Sequence, residues 1–223
     1  MQRMLSFDPL HACIAFGPLA MYLLVLGAIN LSSRPLVTTG ARDLIALGLA
    51  MAGLVVAGPM ELFLIEAAAV DFGGWVVWII MLVLYGLVVL CVALMTRPRL
   101  VIYNVTSEQL LPVLEEVLAK VDPQVRWVGN SIVSQGLGVQ LTVEMQPVMK
   151  NVLLVSAGPQ QSFSGWSRLH HDLAAALRPA RGTPNPFGAT LLTVGLMLAG
   201  IITWLMARDP SAVQQALNDM LRR

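Results

Sequence analysis

The chain has 223 residues, of which 57% are hydrophobic and only 12% are Asp, Glu, Lys or Arg. A soluble domain carries about 25% charged residues, and half of that cannot coat a globule of this size, so a soluble enzyme domain, a disordered tail and a disulfide-stapled secreted module are excluded. The net charge of +1 gives no general attraction to nucleic acid, and no nucleic-acid partner is expected.

Four stretches lack any charged side chain: residues 9–33, 44–60, 72–96 and 182–207. A helix rises about 1.5 Å per residue, so a hydrocarbon core of about 30 Å takes roughly 20 residues. The second stretch is shorter, but its apolar character resumes after Glu61 as Leu62–Ile65. The pattern predicts four transmembrane helices over residues 10–30, 44–65, 73–95 and 188–207, and the lipid bilayer is their first partner. Leu10-His11-Ala12-Cys13 resembles the end of a lipoprotein signal, but the apolar run follows the cysteine instead of preceding it, so the stretch reads as a helix. Small residues four apart (Gly48 and Ala52, Gly53 and Ala57, Gly195 and Ala199) allow close approach of helix backbones. Pro59 cannot donate to the Val55 carbonyl, which predicts a bend there. Cys13 and Cys91 fall near opposite ends of their helices, too far apart for a bridge.

Residues 97–182 change character. Leu100–Val105 is β-branched and aromatic and reads as a strand. Thr106 or Ser107 caps a helix with Gln109 as capping-box partner, and Leu110, Leu111, Leu114, Val117, Leu118 and Val121 form its apolar stripe. Gly129-Asn130 suits a two-residue type II′ turn between strands at 125–128 and 131–133. Val139, Leu141 and Val143 alternate with polar residues, Val152–Ser156 is another strand, and Trp166, Leu169, Leu173, Ala176 and Leu177 form a second helical stripe. The expected fold is an α-helical polytopic membrane protein with an inserted α+β domain, an antiparallel sheet carrying two helices on one face. Its parts are residues 1–96 with three membrane helices, the domain at 97–182, a stiff Thr183-Pro184-Asn185-Pro186 linker and fourth helix at 183–208, and a short amphipathic helix at 209–223.

Motifs for chemistry are sparse. His170 and His171 are adjacent, about 100° apart on a helix, which is poor for sharing one metal. Gln135-Gly136-Leu137-Gly138 lacks the following helix and Lys-Ser/Thr of a phosphate loop. No catalytic, cofactor-binding or metal-binding residues are assigned, and no cofactor is expected. The candidate polar membrane site is Glu61 with Glu66 and His11, because ionisable side chains within a membrane are costly and often functional. A glutamate reaching headgroups from its helix end is the simpler explanation for Glu61.

Arg34, Arg42, Arg97, Arg99, Arg178 and Arg181 fall on one side of the helices, against Arg3, Arg208, Arg222 and Arg223 on the other. This bias places the domain in the cytoplasm and both termini outside. The excess of Arg over Lys suggests a bacterial inner membrane. Together these features suggest a non-catalytic accessory or scaffolding subunit that binds a partner protein or forms a homo-oligomer. The alternatives are a small ion- or proton-handling protein using Glu61, and a membrane enzyme with a site assembled from scattered residues.

Overall fold

A computed structural model describes residues 9–60, 74–146, 150–159, 161–208, 210–211 and 213–215. In chain order its elements are α1 (Pro9–Leu31), β1 (Leu36–Thr39), α2 (Gly40–Val55), a π-helical turn (Val56–Met60), α3 (Gly74–Met95), β2 (Arg99–Tyr103), α4 (Ser107–Val121), β3 (Arg126–Val128), β4 (Ser131–Ser134), β5 (Val139–Gln146), β6 (Asn151–Ser156), α5 (Phe163–Leu177) and α6 (Phe187–Arg208). They divide into two compact units, one of Met1–Leu26, Ile45–Cys91 and Leu191–Arg223, the other of Gly27–Leu44 and Val92–Thr190.

The first unit is helical. Four helices of the chain are long and apolar enough to cross a membrane: Pro9–Leu31, Gly40–Gly58, Trp78–Met95 and Phe187–Arg208. The glycines marked by their spacing lie at close approaches. A Cβ on Gly53 would run into the carbonyl oxygens of Ile14 and Ala15, one on Gly48 into Val89, and one on Gly195 into Leu24. The Tyr85 hydroxyl donates to the Gly48 carbonyl at 2.7 Å. Pro59 lies within the π-helical turn Val56–Met60, a widening that accommodates a residue unable to donate. Cys13 and Cys91 are free thiols.

The second unit is built on a six-stranded sheet in the order β1-β2-β6-β5-β4-β3. Every neighbouring pair is antiparallel. The helices α4 and α5 bury their stripes on one face, Leu110, Leu114, Val117 and Leu118 from α4 and Trp166, Leu169, Leu173 and Leu177 from α5. They pack on Leu100, Ile102, Ile132, Leu141 and Leu154 in one core cluster. The register explains why these strand residues share a face, since Leu100 opposes Leu154 and Ile102 opposes Val152. On the other face Val101 and Tyr103 are also buried. Further across that face Gln140 and Thr142 are half-buried and Glu144 is exposed.

One strand was not expected. The sequence reading assigned no element between the first two helices, yet Leu36–Thr39 adds to the sheet as β1, with Leu36 opposite Tyr103 and Thr39 opposite Leu100. Two segments distant in sequence are thereby joined in one sheet.

The linker before α6 is tied to the residues after α1. Gly182 N–H donates to Ser33 O, Thr183 N–H to Asn104 O and Asn185 N–H to Asn30 O, at 2.7, 3.0 and 2.8 Å. Asn104 ends β2 with φ of 62°, a left-handed conformation that asparagine tolerates better than most residues. It is fully buried, and its amide donates to Ile29 O at 2.6 Å. The expected capping box at α4 is present, with Thr106 N–H donating to Gln109 Oε1. Gly129 has φ of 60° between paired Val128 and Ser131, the sign a type II′ turn requires at its first central residue.

Candidate functional site

Glu61 and Glu66 lie outside the described residues, as does most of the C-terminal amphipathic segment. His11 sits in the first turns of α1 and is half-buried. Among the described residues no group of three His, Cys, Asp or Glu side chains is placed to hold a metal ion.

On α5, His170 is half-buried beside the buried stripe and His171 is exposed, facing away from it. Gln135–Gly138 connects β4 to β5, and its backbone serves a carboxylate of the chain itself. Asp122 follows α4, is only 6% exposed, and accepts from Gly136 N–H and Ser134 Oγ, each at 2.8 Å, and from Gln124 N–H at 3.0 Å. These donors, Gly136 first, hold its carboxyl below the usual carboxylate range. A carboxylate so fully used acts as a structural node beside the β4–β5 connection.

The arginines entered the sequence reading only as a charge count. The β1–β2 ladder sorts them into two groups. At one end the Gly182–Ser33 hydrogen bond brings Arg181 and Arg34 to the same place. At the other end Thr39 pairs with Leu100, so Gly40 comes opposite Arg99. A Cβ on Gly40 would collide with Arg99 Cγ, Cδ and Nε, which places the arginine stem across the first residue of α2. Arg42 follows in the first turn of that helix, and Arg97 precedes Arg99 by two residues. Arg99 Nε is buried and has no hydrogen-bond partner. Asp43, the acid beside Arg42, accepts from the Tyr103 hydroxyl at 3.0 Å. The ion pairs of the described residues, Lys120–Glu116 and Arg168–Asp172, use none of these arginines.

The sheet unit also exposes large apolar side chains. Phe163, at the start of α5, is 87% exposed, Val128 66%, Met145 51% and Trp127 39%. Val128 and Trp127 belong to β3, which forms one edge of the sheet. Trp127 and Val128 are successive residues of this edge strand and so point to opposite faces of the sheet, Trp127 opposite the buried Ile132 and Val128 opposite Ser131.

No family model matches the chain, and no curated protein or solved structure is significantly similar to it.

Proposed function

We propose that the protein is a non-catalytic integral membrane accessory or scaffolding subunit whose sheet unit binds a partner protein. The observation that carries this reading is the exposed apolar set of the sheet unit, Trp127 and Val128 on the β3 edge above all. The helical unit supports membrane insertion. Large apolar side chains such as Ile80, Val83, Leu87 and Leu94 on α3 and Leu196 and Met197 on α6 are exposed, which only a hydrocarbon surround makes favourable. On this reading the chain lies in a bacterial inner membrane, with the sheet unit in the cytoplasm and the excess of arginine on its side.

Photo-crosslinking in cells tests the reading. A benzophenone side chain at position 128 or 127 should give one dominant adduct of defined mass, and the same probe at Lys120, on the exposed flank of α4, should give none. Equal, diffuse labelling at both places would remove the support for a partner surface.

A further inference from the structure

Strand β3 closes the sheet on the side away from β1, and all three of its residues, Arg126, Trp127 and Val128, are exposed. The pairing of its neighbours decides which of its backbone groups are engaged. Val143 N–H donates to Asn130 O at 3.1 Å, which continues the β4–β5 register and directs the backbone groups of Asn130, Ile132 and Ser134 at β5. These groups alternate sides along a strand, so Ser131 and Val133 turn theirs to β3, where they meet Val128 and Arg126. Trp127, between those two, has its N–H and C=O directed away from β4, over the open edge. The edge thus offers a donor and an acceptor on one residue, with the Trp127 side chain on one face of the sheet and Val128 on the other. Backbone groups presented in this way are a template for another strand.

We propose that the β3 edge pairs with the β3 edge of a second copy of the chain, antiparallel about a twofold axis at Trp127, so that one sheet runs through both copies. The inference rests on the reading of the sheet unit as a protein-binding unit in a membrane protein, and it names the partner. The strand is complementary to itself. A twofold axis at Trp127 sets that residue opposite its counterpart, and the two exchange both N–H···O bonds. The indole rings meet as a cross-strand pair on the face that carries α4 and α5. On the other face Arg126 comes opposite the Val128 of the second copy, so its stem covers an apolar side chain and like charges are not opposed. Other registers fail. A shift of one residue sets Trp127 against Val128, whose backbone groups are engaged by Ser131. A shift of two sets it against Val125, whose N–H is given to Asp122 O, or against Gly129, which has left the strand with φ of 60°. Three residues make a small contact, and confinement of both copies to one bilayer raises their effective concentration enough for it to hold.

The test is disulfide trapping of the full chain in membranes, in a Cys13→Ser, Cys91→Ser background, read as a dimer on a non-reducing gel. Opposed residues of an antiparallel pair have Cα atoms about 4.5–5.5 Å apart and diagonal ones about 7–8 Å, and a disulfide does not span the latter. Two co-expressed chains, one with Arg126→Cys and one with Val128→Cys, should therefore give about tenfold more dimer than either chain alone. Trp127→Cys should form dimer by itself, and Lys120→Cys, on the exposed flank of α4, should form none. Trp127→Pro removes the outward N–H without touching the ladder to β4, whereas Trp127→Ala keeps it. Added to the 126/128 pair, Trp127→Pro should abolish the dimer and Trp127→Ala should only reduce it. Equal yields from single and co-expressed chains, equal yields with Pro and Ala, or no dimer at all would overturn the proposal. Photo-crosslinking from position 128 separates this from the broader reading. No dimer, with one dominant adduct to a different protein, refutes only the second copy, whereas neither dimer nor adduct refutes both.

Discussion

Two buried polar residues carry much of the local order of the sheet unit. Asp122 is held ionised by Gly136, Ser134 and Gln124, so its folded carboxyl titrates below its unfolded value of about 3.9. A depressed folded value contributes stability that is fully present above the unfolded value and is lost as pH falls through the folded one. The thermal midpoint of the wild type should therefore decline as the pH is lowered below about 4. Asp122→Asn, which sets an amide where two N–H groups and a hydroxyl converge, should lower the midpoint at neutral pH and show less of that acid decline. An unchanged acid profile in the variant would remove Asp122 from this role. Asn104 makes the second case. Asn104→Ala gives up the bond to Ile29 O and forces a left-handed backbone on alanine, for about 2–3 kcal/mol in denaturant unfolding. Asn104→Gly relieves the backbone and should cost distinctly less.

Among the elements, those that rest on local pattern were legible. The stripes of α4 and α5, the capping box at Thr106, the Gly129-Asn130 turn and the strands of the inserted domain follow from spacing and cap chemistry, which act between near neighbours. The strand β1 was not legible. Four residues, Leu36-Val37-Thr38-Thr39, offer too short an alternation, and what makes them a strand is the β2 edge more than sixty residues away. The meeting of Gly40 with Arg99 was hidden for the same reason, since only the β1–β2 register sets them opposite each other. Of the polar membrane set, His11 alone is described, and its composition-level signal did not extend to its surroundings. Glycine spacing in the apolar helices was informative, and it separates substitutions that look alike. Gly53→Ala, set against two carbonyl oxygens, should destabilise the detergent-solubilised protein by about 1–3 kcal/mol. Gly86→Ala, with open space around it, should be neutral or mildly stabilising. Equal effects at the two positions would contradict the helix contact at Gly53.

For the whole molecule, the charge distribution fixes an expected orientation that can be measured directly. A cysteine placed at Gln140 in a Cys13→Ser, Cys91→Ser background should resist an impermeant maleimide in intact spheroplasts and react once they are lysed. A cysteine in the 66–74 stretch should react before lysis. The reverse pattern would invert the proposed topology while leaving the sheet unit and its arginines intact.

The joining of β1 to β2 has a consequence for synthesis. Translation runs at about 5–20 residues per second, so β1 leaves the ribosome several seconds before β2 exists to receive it, and longer before β6 closes the other side of β2. The nascent strand lies between α1 and α2 in the chain. The strand is therefore made without its partner, and pairing waits for the later segment. Synthesis of the first two helices thus precedes completion of the sheet by necessity of chain order. Residues 97–182 produced alone would reach the opposite situation, a finished fold with the β2 edge bare. That fragment should aggregate, and fusing residues 32–40 to it through a flexible linker should restore a soluble, monomeric product.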